Sequence, residues 1–445
     1  MSVGFKETSI VQIDIPTTIP EELPFVLDDC SLAFSLGFRN KIMWFLLREK
    51  KDQYRKCRIP KKSGGIRIIH APEIMMKLLL KRILVKYLAP LQEQLGPHVT
   101  AYRKNFSAQD AVKQHIPPCG ICDAGAPAGT PKKHECPRRG LFVHMDLKDF
   151  FTTTRRAWIR EFFQNQGYNF DVAGLLSNLM TVTDFPNPLY EELKYLIRNE
   201  GKKISDFPNL QCEELRRIVE KNIAATDPPN PMHEELKCII EEGRWFPKVF
   251  TGVPQGSPAA SAICNLIADW RFDQTLLRYL AKRNQWDNLS GHSKWVYTRY
   301  SDDLSFTCGR TFTARETAQF IDDVREIIDT SGYRINEKKT RISHGYYGKY
   351  LLGTVCNQKP NIRETEYRQL RALVHNCLVM GFDTQYQRAG KEDEESLIMY
   401  LTGKINYVGQ VSSGKGKKLR GVFDVAFQSW KDEKKTREKE EGAPA

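Results

Sequence analysis

Short apolar runs along the chain end in acidic residues at two places. Residues 298 to 306, TRYSDDLSF, set Asp302 and Asp303 between aromatic, β-branched and apolar residues, a pattern that predicts a β-hairpin with two acids at its tip. The run LFVHMDLKDFF, residues 141 to 151, predicts a strand that ends at Asp146. Adjacent carboxylates repel each other, and divalent cations neutralise such a cluster. The three acids therefore predict a site for two metal ions about 4 Å apart.

A loop followed by a helix of small residues lies between the two acidic elements. In residues 251 to 266, TGVPQGSPAASAICNL, Ser257 suits the N-cap of the helix and Pro258 its first turn. Backbone amides at such a helix start, without bulky side chains, allow a base pair to approach closely. After the hairpin, residues 336 to 342, NEKKTRI, provide Lys339 as a cation for a leaving pyrophosphate.

A glycine-rich basic segment comes earlier in the chain. Residues 57 to 72, CRIPKKSGGIRIIHAP, carry Lys61 and Arg67 on either side of a Gly-Gly turn. Cations around such a turn are typical of a phosphate clamp. Taken alone, the segment also fits a solvated basic hairpin.

In this order the motifs resemble those of the reverse transcriptase family. Asp146 matches the first metal-binding acid, PQGSP the template and nucleotide loop, YSDD the Y-x-D-D hairpin and NEKKT the following N-x-x-K-T. The resemblance implies an α+β fold, a right-hand polymerase with fingers, palm and thumb. It also implies that Asp146, Asp302 and Asp303, with the backbone carbonyl of Leu147 as an additional ligand, bind two magnesium ions.

The resemblance gives further residues a role at the nucleotide. Lys61 and Arg67 match cations that grip the triphosphate, and Lys339 matches a residue that assists the leaving group. Phe151 coincides with an aromatic residue that leaves no room for a ribose 2′-hydroxyl, which predicts DNA as the product. The residues that match contacts to the nascent base pair and the primer end are Gln255, Gly256 and Tyr300.

Two segments resemble the bacterial retron-type branch, which includes retron and other defence-associated enzymes. Residues 101 to 116, AYRKNFSAQDAVKQHI, resemble its N-A-x-x-H signature with Asp110 in place of asparagine. Residues 350 to 362, YLLGTVCNQKPNI, resemble its V-T-G element and retain only Gly353. This branch implies a noncoding RNA template, a cDNA product, dNTP substrates and a role in antiphage defence. An effector protein or a second copy of the chain is a candidate partner.

Three alternatives stay open at this point. The same two-metal chemistry serves a template-independent or protein-primed DNA polymerase of a defence system. It also serves a group II intron-like maturase, although no endonuclease or DNA-binding extension is expected after the thumb. The third alternative is a non-catalytic RNA-binding module with a relic palm, which would keep basic residues for binding RNA. The presence of all three acids argues against it.

The resemblance also divides the chain. N-terminal helices and fingers are expected over residues 1 to 140, a palm over 141 to 358 and a helical thumb over 359 to 432. Residues 433 to 445 form a charged tail with little apolar content, which we expect to be frayed or solvated.

A threefold repeat interrupts the predicted palm over residues 184 to 245. Each copy begins with Pro-Asn and continues with Glu-Glu-Leu and an apolar helical pattern, starting at Pro186, Pro208 and Pro229. Three short helices cannot each hold a core, so we expect them to pack on one another or on a neighbour as an accessory element. Chance resemblance among surface helices is the alternative.

A small insertion before Asp146, residues 117 to 138, carries thiols and an imidazole in the spacing C-x2-C-x11-H-x-C. Four such ligands suit tetrahedral zinc, and the loop is too poor in apolar residues to order itself by packing. A structural zinc site and a flexible insertion with idle thiols are both consistent with the spacing. The candidate ligands are Cys119, Cys122, His134 and Cys136.

The composition fits an enzyme that binds nucleic acid. The chain of 445 residues has 67 lysine and arginine residues against 54 acids, a net charge of +13 and a pI near 9.1. This excess favours a polyanionic partner through phosphate contacts and counterion release. No stretch approaches the ~20 apolar residues of a membrane span, and the N-terminus lacks the order of a signal peptide. We therefore expect no membrane partner and a cytoplasmic location.

Overall fold

The computed structural model of the protein combines helices with antiparallel strands, which confirms the predicted α+β class. Lys61, the Cys/His insertion and the repeat copy from Pro229 lie outside the residues that the structure describes. Those described are residues 23–60, 66–116, 140–186, 188–201, 213–224, 249–289, 291–345, 348–357 and 359–441.

The described strands form one four-stranded sheet and three two-stranded ribbons, and each pairing between them is antiparallel. Their bounds in chain order are β1 Tyr54–Pro60, β2 Ile66–Pro72, β3 Phe142–Asp146, β4 Val182–Pro186, β5 Val249–Gly252, β6 Val296–Tyr300, β7 Asp303–Thr307, β8 Arg341–Ser343, β9 Tyr350–Leu351 and β10 Thr354–Val355.

Several of the described helices bury an apolar face, as their spacing of apolar residues requires. Their bounds are α1 Asp29–Ser35, α2 Asn40–Arg48, α3 Ile74–Ile83, α4 Ala89–Glu93, α5 Ala108–Gln114, α6 Phe150–Thr153, α7 Arg156–Asn165, α8 Phe170–Met180, α9 Pro188–Asn199, α10 Glu213–Ala224, α11 Ala260–Ala268, α12 Gln274–Trp286, α13 Ala314–Thr330, α14 Glu364–Met380, α15 Phe382–Gln385, α16 Glu394–Val411 and α17 Ser413–Glu441.

The described residues group into two compact units. One lies within Met1–Gln94 and Asp149–Trp270, and the other within Leu95–Lys148 and Arg271–Ala445. The first unit contains the ribbons β1-β2 and β4-β5, and the second contains the four-stranded sheet and the ribbon β9-β10.

In the first unit, the ribbon β4-β5 brackets the repeat insertion. The first two copies form α9 and α10, which pack against each other. Leu196 of α9 and Val219 of α10 are buried, and Lys221 Nζ lies 2.8 Å from Glu200 Oε1. The first two copies thus pack on one another and contain buried apolar residues.

The second unit is built around the sheet β6-β7-β3-β8. Side chains alternate between the faces of a sheet, and here the alternation separates a polar face from an apolar one. Asp146 and His144 lie opposite Asp303 and Ser305 on the polar face. The apolar face includes Phe306, whose ring packs edge-on at 5.4 Å from a phenylalanine of α13. The end of the polar face that carries Asp146 and Asp303 thus lies on the side of the sheet opposite this core.

The helices α14, α16 and α17 form a separate core within the second unit, with Val374, Leu401 and Phe423 buried in it. The helices α16 and α17 approach closely, because a Cβ built on Gly416 would lie 2.3 Å from the Cα of Gly409. Glycine at both positions permits this crossing.

The charged tail after residue 432 is helical rather than frayed up to Glu441, where α17 ends, and its described side chains up to Thr436 are mostly exposed, as expected of a solvated segment. Contacts to the start of α16 support the extension: Lys434 Nζ donates to Glu395 Oε1 at 2.7 Å, and the Trp430 indole donates to Glu394. These pairs were invisible in the composition of the tail alone. No described helix is both long and apolar enough to cross a membrane.

Candidate active site

The pairing of β3 with β7 brings two of the predicted acids together. Asp146, the last residue of β3, stands directly opposite Asp303, the first residue of β7. Side chains at such positions have Cβ atoms about 5 Å apart. Asp146 is buried and Asp303 is half-buried. Both the predicted strand end and the predicted hairpin are confirmed.

The third acid lies in the turn of the hairpin. Tyr300 pairs with Asp303, so Ser301 and Asp302 form a two-residue turn between β6 and β7. Ser301 has a φ of +62°, as the first central residue of a type II′ turn requires, at a cost of order 1 kcal/mol for a residue with a Cβ. The backbone N–H of Leu147 donates to the Asp302 carbonyl oxygen at 2.8 Å and ties the turn to the end of β3.

Lys339 lies directly on the first acid. It ends a short 3₁₀ turn before β8, and its Nζ donates to Asp146 Oδ1 at 2.8 Å and Oδ2 at 3.0 Å. Asn336 adds a donor from its side chain to Asp146 Oδ2 at 3.3 Å and one from its backbone N–H to the Asp146 carbonyl at 2.7 Å. The hydrogen bond to Asp146 raises the pKa of Lys339, so this residue remains a cation.

Asp303 has its own partner on the polar face. His144 Nε2 lies 3.3 Å from Asp303 Oδ1, and His144 Nδ1 lies 3.2 Å from Ser305 Oγ. The imidazole therefore orients one oxygen of Asp303 and is itself held by the neighbouring strand.

Asp302 has an electrostatic environment that favours a bound cation. Burial raises the pKa of Asp302, and the charges of Asp303 and Asp146 raise it further. Oxygen ligands from several carboxylates suit Mg²⁺, which binds through one or two carboxylates together with substrate phosphates. The residues present thus fit divalent metal ions, and Asp146, Asp302 and Asp303 would hold them.

In the first unit, the PQGSP loop lies against the basic ribbon. The Gln255 carbonyl accepts the His70 backbone N–H at 2.7 Å. Gly256 has a φ of +107°, and a Cβ there would lie 2.8 Å from the His70 carbonyl oxygen. Arg67 of β2 is exposed, and Phe151 of α6 is half-buried with its ring 5.5 Å from that of Phe150.

Comparison with known proteins adds a decisive observation. A family model described as reverse transcriptase (RNA-dependent DNA polymerase) matches residues 215–393, a range that includes the acidic hairpin and Lys339. Residues 215–393 belong to a reverse transcriptase domain. Divalent metal catalysis is a general property of this family.

Three curated retron reverse transcriptases have sequences similar to that of this chain. The retron Mx65 reverse transcriptase of Myxococcus xanthus is 24% identical over 389 residues, covering 87% of this chain and 68% of that protein. The retron Mx162 enzyme of the same organism is 23% identical and covers 87% and 64%. The retron Ec86 enzyme of Escherichia coli is 27% identical over 168 residues, covering 38% and 44%. This chain thus spans about two thirds of the length of the two Myxococcus proteins and less than half of the length of the Escherichia coli protein.

Among solved structures, telomerase from Candida albicans with a fragment of telomeric RNA matches at a TM-score of 0.34 and 10% identity, covering 85% of this chain and 60% of that one. Apo telomerase from Candida tropicalis matches at 0.31 and 13%, covering 72% and 60%. TM-scores this low do not establish a shared fold.

Sequence reasoning missed two residues of this acidic site. No role is predicted for His144 from the sequence, yet its place two residues before Asp146 puts it on the same face of β3. Asn336 lies in the quoted NEKKT segment without an assigned role. The strand period could have identified His144, whereas the contacts of Asn336 depend on how the chain returns to β3.

Proposed function

We propose that this reverse transcriptase copies a noncoding RNA into cDNA by two-metal nucleotidyl transfer. The observation that carries the proposal is the register in which Asp146 faces Asp303 beside the Asp302 turn. The name of the matched family and the names of the retron relatives support the same reaction.

The three acids have the primary role in this mechanism. Asp146, Asp302 and Asp303 provide the oxygen ligands, with the Leu147 carbonyl as a proposed additional ligand. Bound magnesium would lower the pKa of the primer hydroxyl and stabilise the charge that develops on the triphosphate. Lys339 and His144 hold Asp146 and Asp303 in place before substrate binds. We propose that Lys339 moves to the departing pyrophosphate during the reaction.

The nucleotide contacts are proposed from the resemblance of the motifs. Lys61 and Arg67 bind the triphosphate, Gln255 and Gly256 border the nascent base pair, and Tyr300 supports the primer end. Phe151 packs beneath the sugar and excludes ribonucleotides. We also propose fingers up to residue 140, a palm over residues 141 to 358 and a thumb over residues 359 to 432.

The biological role is proposed at the level of the retron-type branch. We propose antiphage defence in the cytoplasm, with an effector protein or a second copy of this chain as partner. Structural zinc at Cys119, Cys122, His134 and Cys136 is a further proposal, based on their spacing. Metal analysis of the purified protein tests it directly, and one equivalent of zinc that is lost in the Cys119→Ser variant is the expected result.

The experiment that tests the proposed function has two stages. The nucleic acid that copurifies with the full chain is sequenced, and that RNA is then offered back to the enzyme with labelled dNTPs and magnesium. Complementary DNA of defined sequence is the expected product. Homopolymeric DNA that does not depend on the template would instead indicate template-independent synthesis, and copurified intron RNA would indicate a maturase.

A further inference from the structure

A charged side chain lies on the apolar face of the sheet. Arg299 of β6 is two residues after Tyr297, so these two side chains point to the same side of the sheet. That side is the core, and Arg299 is fully buried. Its guanidinium carbon lies 5.8 Å from the centre of the Phe272 ring.

The counterion of Arg299 is Asp273, which immediately precedes α12 and is also fully buried. Arg299 Nε lies 2.8 Å and Nη2 2.7 Å from Asp273 Oδ2. The other carboxylate oxygen accepts the Tyr297 hydroxyl at 2.6 Å. His98 Nε2 lies 3.7 Å from Asp273. Both oxygens of the Asp273 carboxylate thus accept hydrogen bonds from described donors. These bonds fix the position of Asp273 relative to Arg299.

The same arginine reaches the tip of the catalytic hairpin. Its Nη1 donates to the Ser301 carbonyl oxygen at 3.4 Å, and Ser301 is the turn residue with a positive φ. The backbone of Arg299 is held by a neighbouring segment, because its N–H donates to the His98 carbonyl at 2.7 Å and its carbonyl accepts the Thr100 N–H at 3.1 Å. A buried ion pair is therefore connected to the peptide unit that precedes Asp302.

Stability alone does not account for this pair. Removing two charges from water is costly, and apolar residues of similar volume in such places often give equal or greater stability. A strained turn that carries a metal-binding carboxylate must hold it in position to within a fraction of an ångström, however. A rigid buried support meets this requirement.

We propose that Arg299 and Asp273 are positioning residues that hold the Ser301–Asp302 turn against the end of β3 and thereby set the affinity of the site for divalent cations. This inference rests on the proposed metal-dependent function. Neither residue touches the metal or the substrate. Their effect passes through the Ser301 carbonyl to Asp302.

The affinity of the protein for divalent cations can be measured without RNA or dNTPs, and therefore independently of DNA synthesis. Mn²⁺ binding to the full chain is measured by electron paramagnetic resonance for wild type, Arg299→Lys and the apolar double variant Arg299→Met/Asp273→Leu, with Asp302→Asn as the reference for a lost ligand. Arg283→Lys is the matched control, since Arg283 pairs with Asp287 at 3.3 Å in the same unit and has no described contact with the hairpin. Thermal unfolding of each variant is recorded in parallel.

The expected result is a Kd for Mn²⁺ raised about tenfold in Arg299→Lys and in the double variant, the size typical for supports of metal ligands. Arg283→Lys should bind Mn²⁺ as wild type does. The Mg²⁺ concentration for half-maximal synthesis should shift in the same order. The double variant removes both buried charges of the pair but also the acceptor of the Tyr297 hydroxyl, so its thermal unfolding shows whether it folds.

Wild-type Mn²⁺ affinity in a folded double variant would overturn the positioning role and leave the proposed polymerase intact. Wild-type protein that binds Mn²⁺ but makes no DNA on any template would instead refute the proposed function. If neither altered protein folds, the pair serves folding alone and the inference is equally overturned.

Discussion

Asp146 and Asp303 face each other across the pairing of β3 with β7. The two residues are far apart in sequence, with helices α6 to α12 between them. The register has a sharp consequence, because a slip of one residue would turn every side chain of a strand to the opposite face. The apolar residues of β3 and β7 on the core side prevent that slip. Hydrophobic packing on one face thus fixes the geometry of the acids on the other.

Replacing Lys339 should impair synthesis without unfolding the protein. Lys339→Ala removes both hydrogen bonds from the Lys339 ammonium to Asp146, and we expect the rate of nucleotide addition to fall about tenfold, equivalent to about 1.4 kcal/mol on the barrier. Single-turnover incorporation of one dNTP measures this rate. The control is Lys338→Ala, because Lys338 is an exposed neighbour in the same 3₁₀ turn. Equal rates for the two variants would contradict a role for Lys339.

His144 should support metal binding through Asp303. His144→Ala leaves Asp303 without its imidazole contact, so we expect a weaker affinity for Mg²⁺, by about tenfold. His144→Gln keeps a donor at this position and should recover most of the loss. Titration of synthesis with Mg²⁺ distinguishes the variants, and an unchanged half-saturating concentration in His144→Ala would refute the assignment.

The pH dependence of stability should report on His115. Its Nδ1 lies 2.9 Å from Thr307 Oγ1 and its Nε2 2.7 Å from Thr298 Oγ1. Burial, together with the charge of Lys349, lowers the pKa of His115 from 6.5 to about 3. Below about pH 6.5 the unfolded chain binds a proton that the folded protein does not. The stabilisation is therefore complete above that pH and is lost as the pH falls toward 3.

Urea denaturation of wild type and His115→Gln at several pH values between about 5 and 8 tests this prediction. The difference in the free energy of unfolding should change by about 1.4 kcal/mol per pH unit below pH 6, with wild type losing more. Parallel profiles for the two proteins would show that His115 does not titrate as described.

The retained glycine of the segment that resembles V-T-G has two structural reasons. Leu352 and Gly353 both have a positive φ in the two-residue turn between β9 and β10, and a Cβ on Gly353 would lie 2.6 Å from the Tyr407 hydroxyl oxygen. Gly353→Ala should reduce the free energy of unfolding by about 1 to 3 kcal/mol. Adding Tyr407→Phe should recover the steric part and leave the part due to φ.

Gly403→Ala is the control for this measurement, because a Cβ at Gly403 of α16 meets open space. In a helix interior, alanine is favoured over glycine, so this variant should be as stable as wild type or more stable. A loss of stability equal to that of Gly353→Ala would contradict the explanation.

The acids of the site could be predicted because their signals are local. An apolar run ending in Asp146 and a hairpin pattern around Asp302 and Asp303 each depend on the adjacent residues alone. The presence of Asp110 also has a local explanation, because its side chain completes a capping box with Ser107 at the start of α5. The contact between Lys339 and Asp146 was not predicted, because it depends on β8 joining the edge of the sheet.

Other expectations failed where contacts between residues distant in sequence determine the local structure. Ser257 was expected to cap the helix that follows, yet α11 begins at Ala260, and the Ser257 hydroxyl accepts the Ala259 N–H at 3.3 Å in the turn before it. The buried pair of Arg299 and Asp273 carried no signal, because one arginine in a strand reads as a solvated residue until its partner is known. Long-range pairing, rather than propensity, determined these details.

The central claim is that three carboxylates act together on metal ions, and the most direct measurement is primer extension on an RNA template with Asp146→Asn, Asp302→Asn and Asp303→Asn. Each variant should lose synthesis by roughly a thousandfold or more, about 4 kcal/mol on the barrier, while its thermal unfolding stays cooperative. Asp149→Asn is the control, because Asp149 is exposed and has a φ of +50° that asparagine tolerates. Near wild-type synthesis by any of the three folded variants would contradict the account.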